Sequence, residues 1–302
     1  MVSCILFGVA AAFAAGADPV SAPASTESAH RNEIETWRQQ RVERLRGPTG
    51  WLTLVALDWL KEGPNTLGSA PDNSIVLAKW PAHLGTVVLD KGKATITIDK
   101  RADATIDGEK KSEAVLIDDA KANKTVVATG NVSFYLVERG ARFGLRVKDS
   151  EAPTRLNFVG LDYFDIDPSW RIEAKWEAYD PPRIVEEPNI LGEFEKVVVP
   201  GAAVFERDGK TFRVEPVIET PGDVNLYLVF ADRTSGKETY GAARFLYTEP
   251  PKDGKVIIDF NKAYNPPCVF TPYATCTLPT QQNRLDVRVT AGEKKYRAGH
   301  EG

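Results

Sequence analysis

The chain lacks the short motifs by which many enzymes announce themselves. Its 302 residues contain no Gly-x-Ser-x-Gly nucleophile elbow, no glycine-rich dinucleotide turn and no P-loop. That leaves no signature of a serine hydrolase of the elbow type or of a nucleotide site. Histidine is scarce, with only His30, His83 and His300. His30 borders a polar linker-like stretch and His300 lies near the end, so a Cys–His dyad would have to use His83. A zinc site fares no better, because Cys268 and Cys276 stand outside the usual ligand spacing. No metal and no cofactor is therefore expected. Nor is there a basic excess. Lys and Arg number 38 against 42 Asp and Glu, for a net charge of -4, and no long basic run occurs. The footprint of a nucleic-acid-binding protein is missing, as is a polybasic membrane patch.

Long apolar runs are missing too, with one short exception. Residues 5–17 read ILFGVAAAFAAGA. A bilayer needs roughly 20 apolar residues, so this run is too short to span one. It fits the apolar core of a secretory signal with small-x-small cleavage sites, although no Lys or Arg precedes it. The Ala/Ser/Pro-rich stretch that follows fits a linker. The expectation is a signal peptide over 1–17, a linker over 18–29, and export to a periplasmic or extracellular location with no integral membrane segment after cleavage. Cleavage would remove Cys4 and leave Cys268 and Cys276, a pair that an oxidising compartment would join as a disulfide.

What is present reads as an ordinary globular protein, with 42% hydrophobic and 26% charged residues. One amphipathic helix is predicted over 30–46, where Ile34, Trp37, Arg41 and Leu45 recur near a 3.6-residue period and Gly47-Pro48 stops it. The bland role for such a helix is to cover a sheet face; the alternative is docking to a partner. Beyond it the pattern is strands and turns. Strands are predicted over 51–60, 84–90, 93–98, 115–118, 132–138, 142–148, 171–179, 211–217, 225–231, 240–247, 255–260 and 284–290. Asp-Gly and Ser-Gly pairs mark turns between several of them. Short strands with almost no second helix predict an all-β fold, a sandwich or partly closed barrel with one N-terminal amphipathic helix. Residues 30–302 read as one unit, with Asp180-Pro181-Pro182 the best candidate for a break between two β halves.

Two local patterns invite a function and argue against it. Leu67-Gly68-Ser69, the apolar stretch at Ile75-Val76-Leu77 and His83 have a rhythm similar to forkhead-associated phosphopeptide-binding domains. Gly68 is followed by Ser69 and not Arg, so the phosphate-gripping cation is absent. Asp162, Asp165 and Asp167 form an acidic cluster, but neither their spacing nor a central glycine matches a calcium loop.

The densest chemistry lies near the C-terminus. A strand ending at Asp259 leads into Asn261, Lys262, Tyr264, Asn265, Pro266 and Pro267, then Cys268 and Cys276. So long a loop inside a compact domain is usually functional or disordered, and aromatics and prolines argue against disorder. It reads either as a rigid pocket wall or as a clamp whose polar side chains satisfy backbone groups. If the flanking strands pair as a hairpin, Arg244 approaches Asp259.

The segments GWLTLVALDWL, RFGLRVKD, ETYGAARFLY, DFNKAYNPPCVFTPYATCTLP and NRLDVRVTAGEKKY together resemble the bacterial and archaeal family called domain of unknown function 1684. The resemblance runs from about Trp37 to Tyr296. It implies a single family unit and carries no catalytic assignment. The leading functional expectation is an exported protein binding a small polar or anionic ligand, in a pocket formed by Arg142, Arg146, Tyr240, Arg244, Asp259, Asn261, Tyr264, Asn265 and Arg284. The alternatives are a hydrolase with Asp259 as general base and an Arg holding an anion, or a structural envelope-interaction module. Neither enzymatic activity nor oligomeric state follows from the sequence.

Overall fold

The computed structural model describes residues 22–297; the expected signal segment lies outside them. Helix α1 (Ala22–Arg46) starts earlier than the 3.6-residue pattern suggests, inside the stretch read as linker. Its inward face buries Ile34, Arg41 and Leu45. It ends where Pro48 cannot continue the helix, with Arg44 and Arg46 in the last turn complementing the dipole.

The first half contributes ten strands: β1 (Leu54–Trp59), β2 (Gly63–Gly68), β3 (Ile75–Val76), β4 (Gly85–Asp90), β5 (Lys93–Ile98), β6 (Thr105–Ile106), β7 (Glu113–Val115), β8 (Val126–Thr129), β9 (Val132–Arg139) and β10 (Arg142–Asp149). They form two five-stranded sheets, ordered β1-β10-β9-β8-β6 and β3-β2-β4-β5-β7. Apolar side chains from both sheets, among them Leu67, Val87, Ile96, Phe134, Leu145 and Val147, meet in one core. This is the expected sandwich. β9 and β10 pair from Arg139↔Arg142 outward across a two-residue turn at Gly140, whose φ of +56° suits glycine.

In the second half, a one-turn helix α2 (Pro153–Leu156) precedes six strands: β11 (Arg171–Pro188), β12 (Phe194–Arg207), β13 (Lys210–Val214), β14 (Leu226–Phe230), β15 (Arg244–Thr248) and β16 (Lys255–Asp259). Four of them form a sheet ordered β13-β12-β11-β16, and β14 pairs with β15. Aromatic residues Phe205, Phe212, Phe230 and Phe260 fill the core between them. Among the described residues the fold is all-β apart from α1 and single helical turns.

Three sequence expectations change here. Asp180-Pro181-Pro182 does not separate two halves: it lies inside β11, where the register with β12 shifts between Ala178 and Arg183 and the Asp180–Pro181 bond is cis. The strand expected at 284–290 is replaced by a 3-10 turn (Gln281–Asn283) and irregular chain. The hairpin expected to bring Arg244 to Asp259 does not form, because β15 pairs with β14 and β16 pairs with β11.

The phosphopeptide-like segment is closed on itself. The Thr66 and Ser74 hydroxyls bond each other, Asn73 donates to the Ala70 and Ala82 carbonyls, and His83 stands exposed beside Asp72. The acidic cluster is likewise structural. Asp167 caps a 3-10 turn through the Ser169 N–H, and Asp162 pairs with Arg297. No group of three metal-ligating side chains occurs among the described residues.

Candidate functional site

The segment expected to present a ligand site is mostly a clamp. Asn261 and Asn265 are fully buried. The Asn261 amide donates to the Asp167 carbonyl at 2.9 Å and accepts from the Asp167 N–H at 3.0 Å. Asn265 donates to the Lys294 carbonyl at 2.8 Å, and its own N–H donates to Glu293 at 2.8 Å. These are the bonds a strand-free buried backbone requires.

Asp259 is engaged in the same way. Its Oδ1 accepts from the Asn261 N–H and side-chain amide, and its Oδ2 lies 2.7 Å from Nε2 of His30. His30, expected at the edge of a linker, sits within α1 instead. Helix α1 is fastened along this segment by three further contacts. Glu33 pairs with Lys262. Arg41 donates to the Asn265 carbonyl at 2.9 Å and to Glu293 at 2.9 Å. The Trp37 and Tyr264 rings lie 6.4 Å apart.

Arg244 is 1% exposed, and its partner is Asp232, at 3.1 Å, rather than Asp259. It also donates to the carbonyls of Val289 and Ala291. Tyr240 packs against the Leu45–Phe270 cluster and bonds Cys268. Arg142 is exposed, paired with Glu193 and laid over Trp59. Arg284 lines a separate surface hollow with Arg183 and Lys210.

Two of the expected site residues, Arg146 and Tyr264, do converge on one cavity of about 690 Å³, walled by α1, the first sandwich and the β11–β12 arm. Arg146 points away from the sandwich core, yet it is only 2% exposed because the loop around Thr275 packs over it. Asp119 holds two guanidinium groups. Arg139 grips it in bidentate fashion at 2.9 and 2.8 Å, and Arg146 reaches it at 3.2 Å. Both arginines also donate to the Thr275 hydroxyl, at 2.9 and 3.0 Å. One carboxylate thus serves two cations, leaving this wall net positive. The Arg146 Nε is buried and has no partner among the described residues.

The opposite wall is acidic. Glu187 on β11 stands directly across from Glu195 on β12, and both line the cavity. Glu187 is 2% exposed, and no hydrogen bond or ion pair engages its carboxylate among the described residues. Burial, with Glu195 and Glu219 adding repulsion, pushes its pKa up to about 7. Trp37, Trp51, Tyr247 and Tyr264 also line the cavity, and Tyr247 donates its hydroxyl to Glu219. Arg41 crosses the Tyr264 ring at 4.6 Å.

The sequence reading did not reach Glu187, Glu195, Arg139, Asp119 or Thr275. A signal existed for the first two. Val185 and Glu187 share one face of β11, and Val197 and Glu195 share one face of β12, so a carboxylate stands where period-two alternation calls for an apolar residue.

Cys268 and Cys276 are free thiols in this structure, not the disulfide expected. They are neighbours nonetheless, with the Cys268 N–H donating to the Cys276 sulfur at 3.2 Å. A hydrogen bond from Cys276 draws the Cys268 pKa down, while burial raises that of Cys276, which lines the cavity.

No curated protein matches this chain. Among solved structures, the solution NMR structure of an uncharacterized protein from Haloarcula marismortui is 30% identical over 46% of this chain and 78% of that one, with a TM-score of 0.40. A crystal structure of Rad53 residues 1–466 with AMP-PNP aligns at 11% identity over 71% of this chain and 51% of that one, with a TM-score of 0.17, and carries no structural argument. Residues 156–294 match the family described as "Protein of unknown function (DUF1684)". The match begins at the end of α2 and spans all six strands of the second half, the fastening segment and the Glu187–Glu195 wall, and it stops short of the first sandwich, where the resemblance was expected to extend. The chain belongs to the DUF1684 family.

Proposed function

We propose that this protein binds a small polar ligand bearing an anionic group in the cavity between α1, the first sandwich and the β11–β12 arm. The observation that carries the reading is the Arg139–Arg146 pair held by Asp119 on the wall of a cavity of about 690 Å³, with the Arg146 Nε buried beside it and without a partner among the described residues. A volume in that range suits a small molecule, and a net cationic wall in a poorly solvated space favours an anion. The aromatic walls supply the apolar part of the contact.

The test is thermal stabilisation by a panel of small carboxylates and phosphate esters. At least one should raise the melting temperature of the wild type, and Tyr247→Ala, at an exposed residue of the cavity lining, should remove that shift while leaving the unliganded protein folded. If no member of either class raises it, the reading fails. A hydrolase resting on Asp259 has less behind it, since that carboxylate is occupied by His30 and Asn261.

The 5–17 pattern supports a second proposal, that the protein is exported. In an oxidising compartment the neighbouring Cys268 and Cys276 would then close into a bridge.

A further inference from the structure

The cavity carries a second uncompensated group, opposite in sign to the first. Glu187 is buried and charge-capable, and it faces another carboxylate across the sheet instead of a cation. Its carboxylate opens onto the cavity with no cation acting on it among the described residues, and an ionised acid in so poorly solvated a place is costly unless something pairs with it. The groups facing it are Glu195 from β12 and Glu219 from the chain after β13, both acidic; the hydroxyl of Tyr247 from β15 is taken up by Glu219. The arginines of the opposite wall do not compensate it, being held by Asp119 and Thr275. Glu195 attracts Arg139 across the cavity, whereas no cation among the described residues acts on Glu187.

We infer that the ligand of this cavity is a zwitterion, with a primary ammonium seated between Glu187 and Glu195 and a carboxylate turned toward Arg146 and Arg139. An ammonium there supplies the donors that Glu187 lacks and relieves the repulsion between the two carboxylates. A plain anion binds there without answering Glu187 and a plain amine leaves the Arg146 side unanswered, so each binds more weakly than a ligand carrying both charges. Two walls of opposite sign in one cavity therefore select for both charges together. The ion is an organic ammonium and not a metal: no three metal-ligating side chains meet among the described residues, and the cavity's aromatic lining suits a cation with carbon attached.

This rests on the binding reading above, and the experiment separates the two. The probes are 4-aminobutyrate, 6-aminohexanoate and a dipeptide such as glycyl-tyrosine, each beside its N-acetyl derivative and its carboxamide. Affinities are measured by calorimetry at pH 8. The free zwitterion of at least one set should bind about tenfold or more tightly than its N-acetyl form, the size expected for one charge-assisted pairing. Glu187→Gln should erase that preference and leave binding of the N-acetyl form unchanged, and Glu195→Gln should reduce it. Equal binding of free and N-acetylated probes, or a preference that survives Glu187→Gln, overturns the zwitterion inference while leaving anion binding intact. If no probe of any set binds, both readings fall.

Discussion

Replacing Glu187 by Gln should stabilise this protein at neutral and alkaline pH, and the size of the effect follows from its surroundings. Burial and the nearby Glu195 and Glu219 raise its pKa from 4.5 to about 7. An acid whose folded-state pKa lies above its unfolded value binds its proton more tightly in the folded state. Its contribution to stability is fully present below pH 4.5 and is lost as pH rises through about 7. At about 1.4 kcal/mol per pKa unit, a rise of that size corresponds to roughly 3 kcal/mol. Gln cannot ionise, so the variant escapes that loss at pH 8. Its additional N–H returns part of the gain if it finds no acceptor. The net expectation is about 1–3 kcal/mol in favour of Glu187→Gln at pH 8, shrinking toward zero or reversing near pH 4.5. Urea unfolding of both proteins across pH 4.5 to 8 measures it, as the difference between their stabilities, so that other titrating groups cancel. Glu195→Gln provides the control, because removing the facing charge should shift the midpoint of that difference to lower pH. A difference that stays flat from pH 5 to pH 8 would refute the argument, since it would mean that Glu187 is solvated or paired in the folded protein.

The other predictions concern the parts that hold the cavity together. Arg244→Met leaves Asp232 buried without its cation and should cost about 3–5 kcal/mol in denaturant unfolding; a loss below 1 kcal/mol would show that Thr234 and the Val289 N–H satisfy Asp232 without help. Asp259→Asn weakens the link to His30 while keeping an acceptor for the Asn261 N–H, so it should lower stability by about 1–3 kcal/mol and leave ligand binding in the cavity unchanged. Loss of binding with stability intact would return Asp259 to the site. For material recovered from an oxidising compartment, alkylation under denaturing conditions followed by intact-mass measurement should find neither Cys268 nor Cys276 modified unless reductant is added first, and two alkylated thiols would sink the disulfide proposal.

Much of the strand pattern was legible because its causes are local. β10 alternates apolar Phe143, Leu145 and Val147 with Arg142, Gly144 and Arg146, β9 carries the apolar run Phe134–Val137, and Gly140 supplies the turn between them. β12 was missed because FEKVVVPGAAVFER contains Pro200 and Gly201, which read as breakers. The structure tolerates both for reasons that lie across the sheet. Pro200 stands opposite the register shift in β11, where no ladder bond demands its missing N–H. Gly201 faces the Trp176 ring, which a Cβ would meet at 2.5 Å. Without β12, a sequence-based reading has no partner for the end of β11 and no signal that Glu187 is buried.

The same distance problem governs the site. Asp259, Asn261 and Asn265 drew attention because polar residues crowd a proline-stiffened segment, and crowding is visible in sequence. Whether each polar group is satisfied is not visible, because the partners lie far along the chain: His30 meets Asp259 across 229 residues, and Asn261 meets Asp167 across 94. Once those partners are in place, the polarity of the segment is accounted for by architecture. Its contribution to function is indirect: it fastens α1 over the cavity and sets the Tyr264 ring between Arg41 and Tyr247. Glu187 behaves in the opposite way. It is unremarkable as a letter in IVEEPN, and it becomes the most informative acid in the molecule only when burial, a facing carboxylate and the lack of any partner coincide. Among the described residues Glu187 has no cation acting on it, the Arg146 Nε has no hydrogen-bond partner, and both residues line the same cavity.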